Sequence, residues 1–348
     1  MIWIRADAGK NIGSGHVMRC LSIAAGLQKA GQEICFITAD EAPRELLEAR
    51  GIKYLVLHTA YNRMEEELDV LEPLLSEHRP ELLLIDSYHV TEAYFRRVGK
   101  YAKTVYMDDI PRFAYAVDGV ANYNIYGEDM PYRELYCREK TVHELPRLFL
   151  GPAYAPLREQ FRESQYKVRS KAEHVLITTG GSDRYNLAGK ILQEVLGREK
   201  LQDLHYHVVS GAFNPHLGEL EKLAAHYGGI QIYRNVSDMA GLMKQCDMAI
   251  TAGGSTMYEL SAVGIPTLCF SFVDNQELIV ENFYRKKLVA YGGNYLKEQE
   301  RFAGNVADAL TFLAGEEALR RRYSDRQRML VDGKGAERLA EGLCKMIG

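Results

Sequence analysis

Ile2-Trp3-Ile4, then Ile12-Gly13-Ser14-Gly15-His16-Val17-Met18-Arg19, then Ile34-Cys35-Phe36-Ile37: a short apolar run, a glycine turn opening a helical stretch, and a second apolar run. That order predicts a strand–helix–strand unit. Within the helical stretch Val17, Leu21, Ala24, Ala25 and Gln28 recur at three- and four-residue steps, which places them near one face, and Gly31 stands where a helix terminator is expected. Leu82 to Ile85 and Thr104 to Met107 read as further buried strands, with Thr91 to Ala102 as the helical crossover between them. From about residue 111 to 171 the pattern loosens into tyrosine- and proline-rich sequence, read as the end of a domain and a linker. At His174 the opening pattern recurs, with Val175-Leu176-Ile177-Thr178-Thr179 as strand, Gly180-Gly181 as turn and Asn186 to Leu196 as helix.

Further strands are expected at His205 to Val209, Ile230 to Tyr233, Met248 to Thr251 and Thr267 to Phe270. Strands alternating with helices in both halves predict an α/β chain of two parallel-sheet domains facing each other across a cleft. Ligands of such sheets bind outside the carboxyl ends of the strands, so both glycine turns should open onto that cleft.

The 348 residues suit two or three domains at roughly 100 to 200 residues each. Hydrophobic residues at 47% and charged residues at 26% exclude disordered, collagen-like and coiled-coil classes. Lys and Arg number 43 against 47 Asp and Glu, a net charge of -4, so no basic field gathers a phosphodiester backbone and nucleic acid is not an expected partner. The six cysteines are scattered without the two-residue spacing of thiolate metal or redox motifs, which fits a reducing cytoplasm. The N-terminus carries Arg5 and Asp7 rather than a signal-peptide core, and no window approaches the roughly 18 apolar residues of a membrane span.

Several residues are placed to carry chemistry. In Gly13-Ser14-Gly15-His16 two glycines let a ligand approach the backbone, and the start of a helix directs N–H groups and partial positive charge at it. A histidine there feels the same field, which favours the neutral ring and leaves a nitrogen free to accept a proton. The plainer reading is a capped helix whose histidine bonds its own loop. It is not the dinucleotide fingerprint, whose third glycine would fall at Met18. In Ala252-Gly253-Gly254-Ser255-Thr256-Met257-Tyr258-Glu259 a strand again runs through a glycine turn into a helix, and N–H groups with two hydroxyls make a diphosphate seat. Glu259, one turn on from Ser255, can accept from ribose hydroxyls; the alternative is an N-cap followed by a surface glutamate. Thr179-Gly180-Gly181-Ser182-Asp183 is a second turn of this kind, closing over a nucleotide or serving only as a tight connection. His205 and His207 share a strand face without an assignable third ligand, and Asp108-Asp109 is read mainly as a strand end organising the next loop.

Taken together and in order, these motifs resemble the PseG family, the UDP-sugar hydrolases of pseudaminic acid synthesis, relatives of the MurG-type glycosyltransferases. The matching stretches are Arg5-Ala6-Asp7 with Ile12 to Leu21, Asp86-Ser87-Tyr88, Asp108-Asp109, Leu150-Gly151-Pro152-Ala153-Tyr154-Ala155-Pro156-Leu157-Arg158, Gly180-Gly181-Ser182-Asp183, Gly253-Gly254-Ser255-Thr256 with Glu259, and Asn275-Gln276. The resemblance implies a GT-B fold of two Rossmann-like domains: residues 1–155 handling the sugar and carrying the base, 156–325 binding UDP, and a helix over 326–348 returning to the first domain. It implies cleavage of UDP-2,4-diacetamido-2,4,6-trideoxy-β-L-altropyranose to UDP and free sugar, with His16 as the catalytic base. The UDP seat would comprise Gly180, Gly181, Gly253, Gly254, Ser255, Thr256 and Glu259. Gly13, Ser14, Gly15, Arg19, Asp86, Tyr88, Arg158, Asn275 and Gln276 would position the sugar. No cofactor is implied, although Asp108-Asp109 and a diphosphate together offer magnesium a place.

Hydrolysis suits these residues. Water must lose a proton as it attacks the anomeric carbon, whereas UDP needs only its developing charge held. Two departures bear on the substrate: the tyrosine-rich Tyr123 to Tyr136 segment, expected to reshape the sugar pocket, and Ser87 beside Tyr88. The rival readings are a glycosyltransferase of MurG-like or spore-coat polysaccharide type using the same nucleotide site, and a non-catalytic sugar-nucleotide sensor.

Overall fold

The computed structural model describes residues 1–9, 12–138, 144–163, 166–211 and 213–348. The chain forms two compact units, Met1–Arg158 with Lys334–Gly348, and Glu159–Gly333. The divisions expected near 156 and 326 compare with 159 and 334 in the structure.

The first unit is built on strands β1 (Ile2–Ala6), β2 (Ile34–Thr38), β3 (Lys53–Val56), β4 (Leu82–Asp86), β5 (Lys103–Met107), β6 (Gly119–Asn122) and β7 (Arg147–Leu150), in the order β3-β2-β1-β4-β5-β6-β7, all parallel. Every residue of β1 and β4 is buried, as both faces of a helix-covered parallel sheet require. The stretch read as linker holds β6 and β7, whose four-residue length and Gly119 and Asn122 kept them from standing out as apolar runs. Its residues 139–143 and 164–165 lie outside the described ones. Tyr123, Tyr126, Tyr132 and Tyr136 are buried within the unit.

The helix Gly15–Lys29 follows β1. Its buried residues are His16, Val17, Cys20, Leu21, Ser22, Ile23, Ala24 and Leu27, whereas Ala25 and Gln28 face solvent. The buried stripe is thus wider than expected and turned away from those two positions, because the helix is covered on two sides. One side meets the sheet; the other meets the helix Gly335–Ile347, where a Cβ on Gly26 would lie 3.0 Å from that of Ala340.

A fully buried ionic cluster ties β1 to the helix Met64–His78. Arg5 donates to both carboxylate oxygens of Glu67 (2.9 and 2.7 Å) and to Asp7 (2.6 Å), and the Tyr94 hydroxyl donates to Glu67 at 2.8 Å. Burial alone would weaken the Arg5 charge, but the Glu67 and Asp7 carboxylates outweigh it and strengthen its hold on the proton. Glu67→Ala leaves the buried guanidinium with Asp7 as its remaining carboxylate and the Tyr94 hydroxyl without this acceptor, and should lower stability by about 3–5 kcal/mol, read from the urea midpoint. A loss below about 1 kcal/mol would contradict that account.

The second unit carries β8 (His174–Thr178), β9 (His205–Val209), β10 (Ile230–Tyr233), β11 (Met248–Ala252), β12 (Thr267–Ser271) and β13 (Ala290–Asn294), parallel, in the order β10-β9-β8-β11-β12-β13. Its core gathers Ile177, Ile191, Val208, Ile250, Phe270 and Leu310. The two sheets share one rule of assembly. In each, the first strand is flanked by the second on one side and by the fourth on the other, so the chain reverses direction of travel at β1/β4 and at β8/β11. Loops leaving the carboxyl ends of such strand pairs diverge and open a crevice.

Candidate active site

In the first unit the crevice at β1/β4 brings His16 and Asp86 together. Ala6 pairs with Asp86 in register, so the helix that follows β1 starts beside the last residue of β4. His16 Nδ1 lies 2.6 Å from Asp86 Oδ1. Arg19, one turn along the helix, donates to Asp86 through Nε (2.6 Å) and Nη2 (2.5 Å), and through Nη1 to the Tyr123 hydroxyl (3.2 Å). Burial by itself raises a carboxyl, but Arg19 and His16, both bonded to it, hold Asp86 well below the usual carboxylate range.

An anionic carboxylate can only accept, so the His16 proton sits on Nδ1 and the Nε2 lone pair is left to take a proton. The guanidinium Nη2 also comes within 3.2 Å of Nδ1, but as a donor it makes no bond there, and the shorter carboxylate contact decides the tautomer. Tyr88 packs edge-on against the His16 ring, with centroids 4.7 Å apart at 75°, and is 45% exposed. Its hydroxyl donates to Asp109 Oδ2 at 2.7 Å. Gly13 adopts φ +70°, a left-handed conformation that suits glycine, and exchanges backbone hydrogen bonds of 2.7 and 3.0 Å with Gly9. Ser14 and Gly15 are exposed at the helix start, where Ser14 makes no side-chain cap.

The second unit repeats the arrangement with different chemistry. The loops at Gly180-Gly181 and Gly253-Gly254 leave the paired strands β8 and β11. A Cβ on Gly253 would come within 2.6 Å of Val280 and 3.0 Å of Gln276, so the loop passes under the helix Asp274–Arg285 only because residue 253 has no side chain. The helix Thr256–Val263 begins at Ser255, which is itself helical (φ -59°, ψ -30°) and whose hydroxyl does not cap the helix. The N-cap alternative is therefore not what this serine does. The first-turn N–H groups and the exposed Ser255 hydroxyl form an anion-seeking end, with Glu259 half-buried one turn on. Asp183 instead accepts from the N–H groups of Leu187 (2.7 Å) and Ala188 (3.1 Å) and so caps the helix after Gly180-Gly181.

Of the expected site residues, His16, Arg19 and Asp86 form one hydrogen-bonded group in the first unit, with Tyr88 edge-on against the His16 ring. Gly253, Gly254, Ser255, Thr256 and Glu259 form another in the second, beside Gly180-Gly181. Asn275 is exposed in the first turn of the helix Asp274–Arg285, and the Gln276 amide oxygen accepts from the Phe272 N–H at 3.0 Å. Arg158 is half-buried at the last position of the first unit before the chain leaves it.

Three further residues adjoin this group, read in the sequence only as a strand-end carboxylate and as part of a segment expected to reshape the sugar pocket. Asp109 follows β5 and lies 3.8 Å from Arg19; Tyr123 and Asn124 follow β6. Asp109 was legible as a strand-end carboxylate. The other two fell within the Tyr123 to Tyr136 segment but could not be placed individually, because β6 was not recognised. Asp108 does organise the following loop, accepting from Tyr132 (2.7 Å) and Tyr115 (3.3 Å), and among the described residues no group of three or more His, Cys, Asp or Glu is arranged to hold a metal ion.

Burial pushes the Asp108 carboxyl up to about 6, against the two tyrosine hydrogen bonds that pull it down. A carboxyl raised above its unfolded value of about 3.9 contributes stability that is complete below pH 4 and lost as pH rises through 6, roughly 3 kcal/mol for this shift. Asp108→Asn should remove that slope, so its stability relative to the parent should increase between pH 4 and pH 7 in urea titrations. Parallel pH profiles for the two proteins would contradict it.

Two parallel α/β sheets of seven and six strands, each with a glycine turn opening a helix at its point of reversal, make up the GT-B fold. The structure of MurG from Acinetobacter baumannii superposes with a TM-score of 0.69 over 99% of both chains at 13% identity, so the likeness is one of fold. In sequence, the chain is 31% identical to an uncharacterised protein of Methanocaldococcus jannaschii over 85% of its own length and 60% of that protein's. It thus spans less than two thirds of that relative. It is 27% identical to the spore coat polysaccharide biosynthesis protein SpsG of Bacillus subtilis (81% of this chain, 80% of that one). It is 26% identical to the UDP-2,4-diacetamido-2,4,6-trideoxy-β-L-altropyranose hydrolase of Campylobacter jejuni (79% and 93%). No protein-family model matches the chain. The resemblance to the PseG hydrolases and the GT-B expectation are both borne out by these relatives and by the fold. No helix among the described residues is long and apolar enough to cross a membrane.

Proposed function

We propose that the protein hydrolyses a UDP-activated diacetamido-trideoxy hexose, UDP-2,4-diacetamido-2,4,6-trideoxy-β-L-altropyranose, to UDP and the free sugar, as a cytoplasmic step of nonulosonic (pseudaminic) acid synthesis. The observation that carries the reading is the 2.6 Å bond from His16 to Asp86, which leaves one ring nitrogen as a proton acceptor at the crevice of the first unit. In this mechanism water gives a proton to His16 Nε2 as its oxygen bonds to the anomeric carbon. The bond from that carbon to the UDP oxygen breaks, and its electron pair leaves with UDP. Asp86 holds the ring in place and balances the imidazolium that forms. The Ser255 and Thr256 hydroxyls and first-turn N–H groups take the diphosphate charge, Gly180, Gly181, Gly253 and Gly254 let it approach the backbone, and Glu259 accepts from the ribose. The sugar is positioned by Gly13, Ser14, Gly15, Arg19, Tyr88, Arg158, Asn275 and Gln276.

The similarity to a spore-coat polysaccharide protein favours a second reading, transfer of a UDP-amino sugar to an acceptor. One experiment separates the two. The purified protein is incubated with the diacetamido sugar nucleotide in buffer, with excess chelator and no acceptor, and UDP release is followed. Multiple turnovers are expected. UDP that appears only on adding an acceptor would replace hydrolysis by transfer, and activity lost only in chelator would add a metal to the scheme.

A further inference from the structure

The hydroxyl of Tyr88 has a direction as well as a position. Its proton is directed at Asp109 Oδ2, 2.7 Å away. Burial and the Asp109 charge hold the phenol well above its ordinary value, so the proton stays on the tyrosine. A hydroxyl whose only hydrogen is committed to a carboxylate can meet another molecule only as an acceptor.

The other oxygen of Asp109 is fixed by a chain of amides that starts from the backbone. The Asn124 N–H donates to Asn122 Oδ1 (3.0 Å), which settles how the Asn122 amide faces; its Nδ2 then donates to the Asp109 carbonyl and to Tyr132, each at 2.9 Å. Asn122 Oδ1 in turn receives Asn124 Nδ2 (3.0 Å), and the same Nδ2 donates to Asp109 Oδ1 (2.7 Å). Position 109 must therefore present an acceptor to Asn124. With aspartate it presents a second acceptor to Tyr88. An asparagine would keep its oxygen toward Asn124 and turn its NH2 toward Tyr88, reversing the hydroxyl so that it donates outward.

We propose that Asp109 is a positioning residue that sets Tyr88 as a hydrogen-bond acceptor beside His16, and that the site thereby selects a sugar presenting an acetamido N–H to Tyr88. The proposal rests on the hydrolase reading above. Tyr88 is half-exposed and lies edge-on against the His16 ring, so the sugar that His16 serves passes within its reach. Asp109 acts only through it.

The test measures UDP release by the parent protein and by the Asp109→Asn, Tyr88→Phe and double variants. The substrates are the diacetamido sugar nucleotide and its analogue methylated on the acetamido nitrogens. Asp109→Asn should raise KM about tenfold, as expected for a hydrogen bond turned into two opposed donors, with kcat within about threefold. In the Tyr88→Phe background the same change should leave KM where Tyr88→Phe alone puts it, since there is no hydroxyl to reverse. The parent should lose about tenfold in KM on the methylated analogue, and Tyr88→Phe should hardly distinguish the two substrates. This last pair of measurements stands even if Asp109→Asn fails to fold. An Asp109→Asn effect that persists without the Tyr88 hydroxyl, or equal parent KM for both substrates, would overturn the proposal. A parent that releases no UDP from the unmodified substrate would overturn the hydrolase reading, and the proposal with it.

Discussion

His16→Ala should lower kcat for UDP release by about 10²–10⁴, the range spanned by a single general base. UDP should bind the variant as it binds the parent, because the residues assigned to the nucleotide all belong to the second unit. The split arises because His16 contributes in the transition state, as the water proton moves, and little in the ground state. Equilibrium titration with UDP and steady-state turnover on one preparation give both numbers. A fall in UDP affinity matching the fall in kcat would take His16 out of the base role and make it a nucleotide contact.

Asp86→Asn should be nearly as damaging to turnover and more damaging to the fold. Asp86 Oδ1 faces His16 Nδ1 and Arg19 Nη2, and Oδ2 faces Arg19 Nε and the Cys20 thiol at 3.4 Å. An asparagine must turn its NH2 toward one of these edges. Toward Oδ2 it opposes an Arg19 donor; toward Oδ1 it opposes another and drives the His16 proton onto Nε2, the atom that must be bare. Either way a buried guanidinium loses its bonded counter-charge, with Asp109 left 3.8 Å away, a cost of about 3–5 kcal/mol, and in the second orientation kcat should fall by up to about 10⁴ as the wrong tautomer accumulates. The carboxyl is held below its ordinary range, so its stabilisation is complete above pH 4, the unfolded value, and is lost only as pH falls toward the lower folded one. The parent should therefore outlast the variant across the neutral range in urea, with the gap narrowing only in strong acid. An Asp86→Asn protein of parental stability and kcat would show that the bond to His16 has no consequence.

The paired architecture was legible because parallel strands buried on both faces must be continuous apolar runs, and Leu82 to Ile85, Val175 to Ile177 and Met248 to Ile250 are such runs. Strands β6 and β7 are short, polar at one end and set among tyrosines, so hydrophobic periodicity passed over them. Tyr123 and Asn124 were accordingly read only as part of a tyrosine-rich segment, without a place beside Arg19 and Asp109. At the site, a glycine turn opening a helix announces an anion-binding or catalytic loop from local sequence alone. His16 and Ser255-Thr256 were singled out that way, and the structure places each at the start of a helix after such a turn. The partnership of His16 with Asp86 depends on which strands are neighbours, information that local spacing does not hold. Asp86 was accordingly expected to touch the sugar, whereas its oxygens are occupied by His16, Arg19 and Cys20.

The helix Gly335–Ile347 belongs to the first unit, yet in the sequence the whole of the second unit separates it from the helix Gly15–Lys29 on which it packs. A ribosome making roughly 5–20 residues per second releases β1 to β7 well before that partner. For that interval the side of Gly15–Lys29 carrying Gly26 is bare, within a few turns of His16. The nascent first unit is thus born with an uncovered face, and the helix carrying His16 is clamped only after the second unit has emerged. Closing so long a loop adds little to its entropic cost, since that grows only logarithmically with length. What it imposes is an order of events: a chain interrupted in the second unit carries every residue of the His16 group and lacks the helix that seats it.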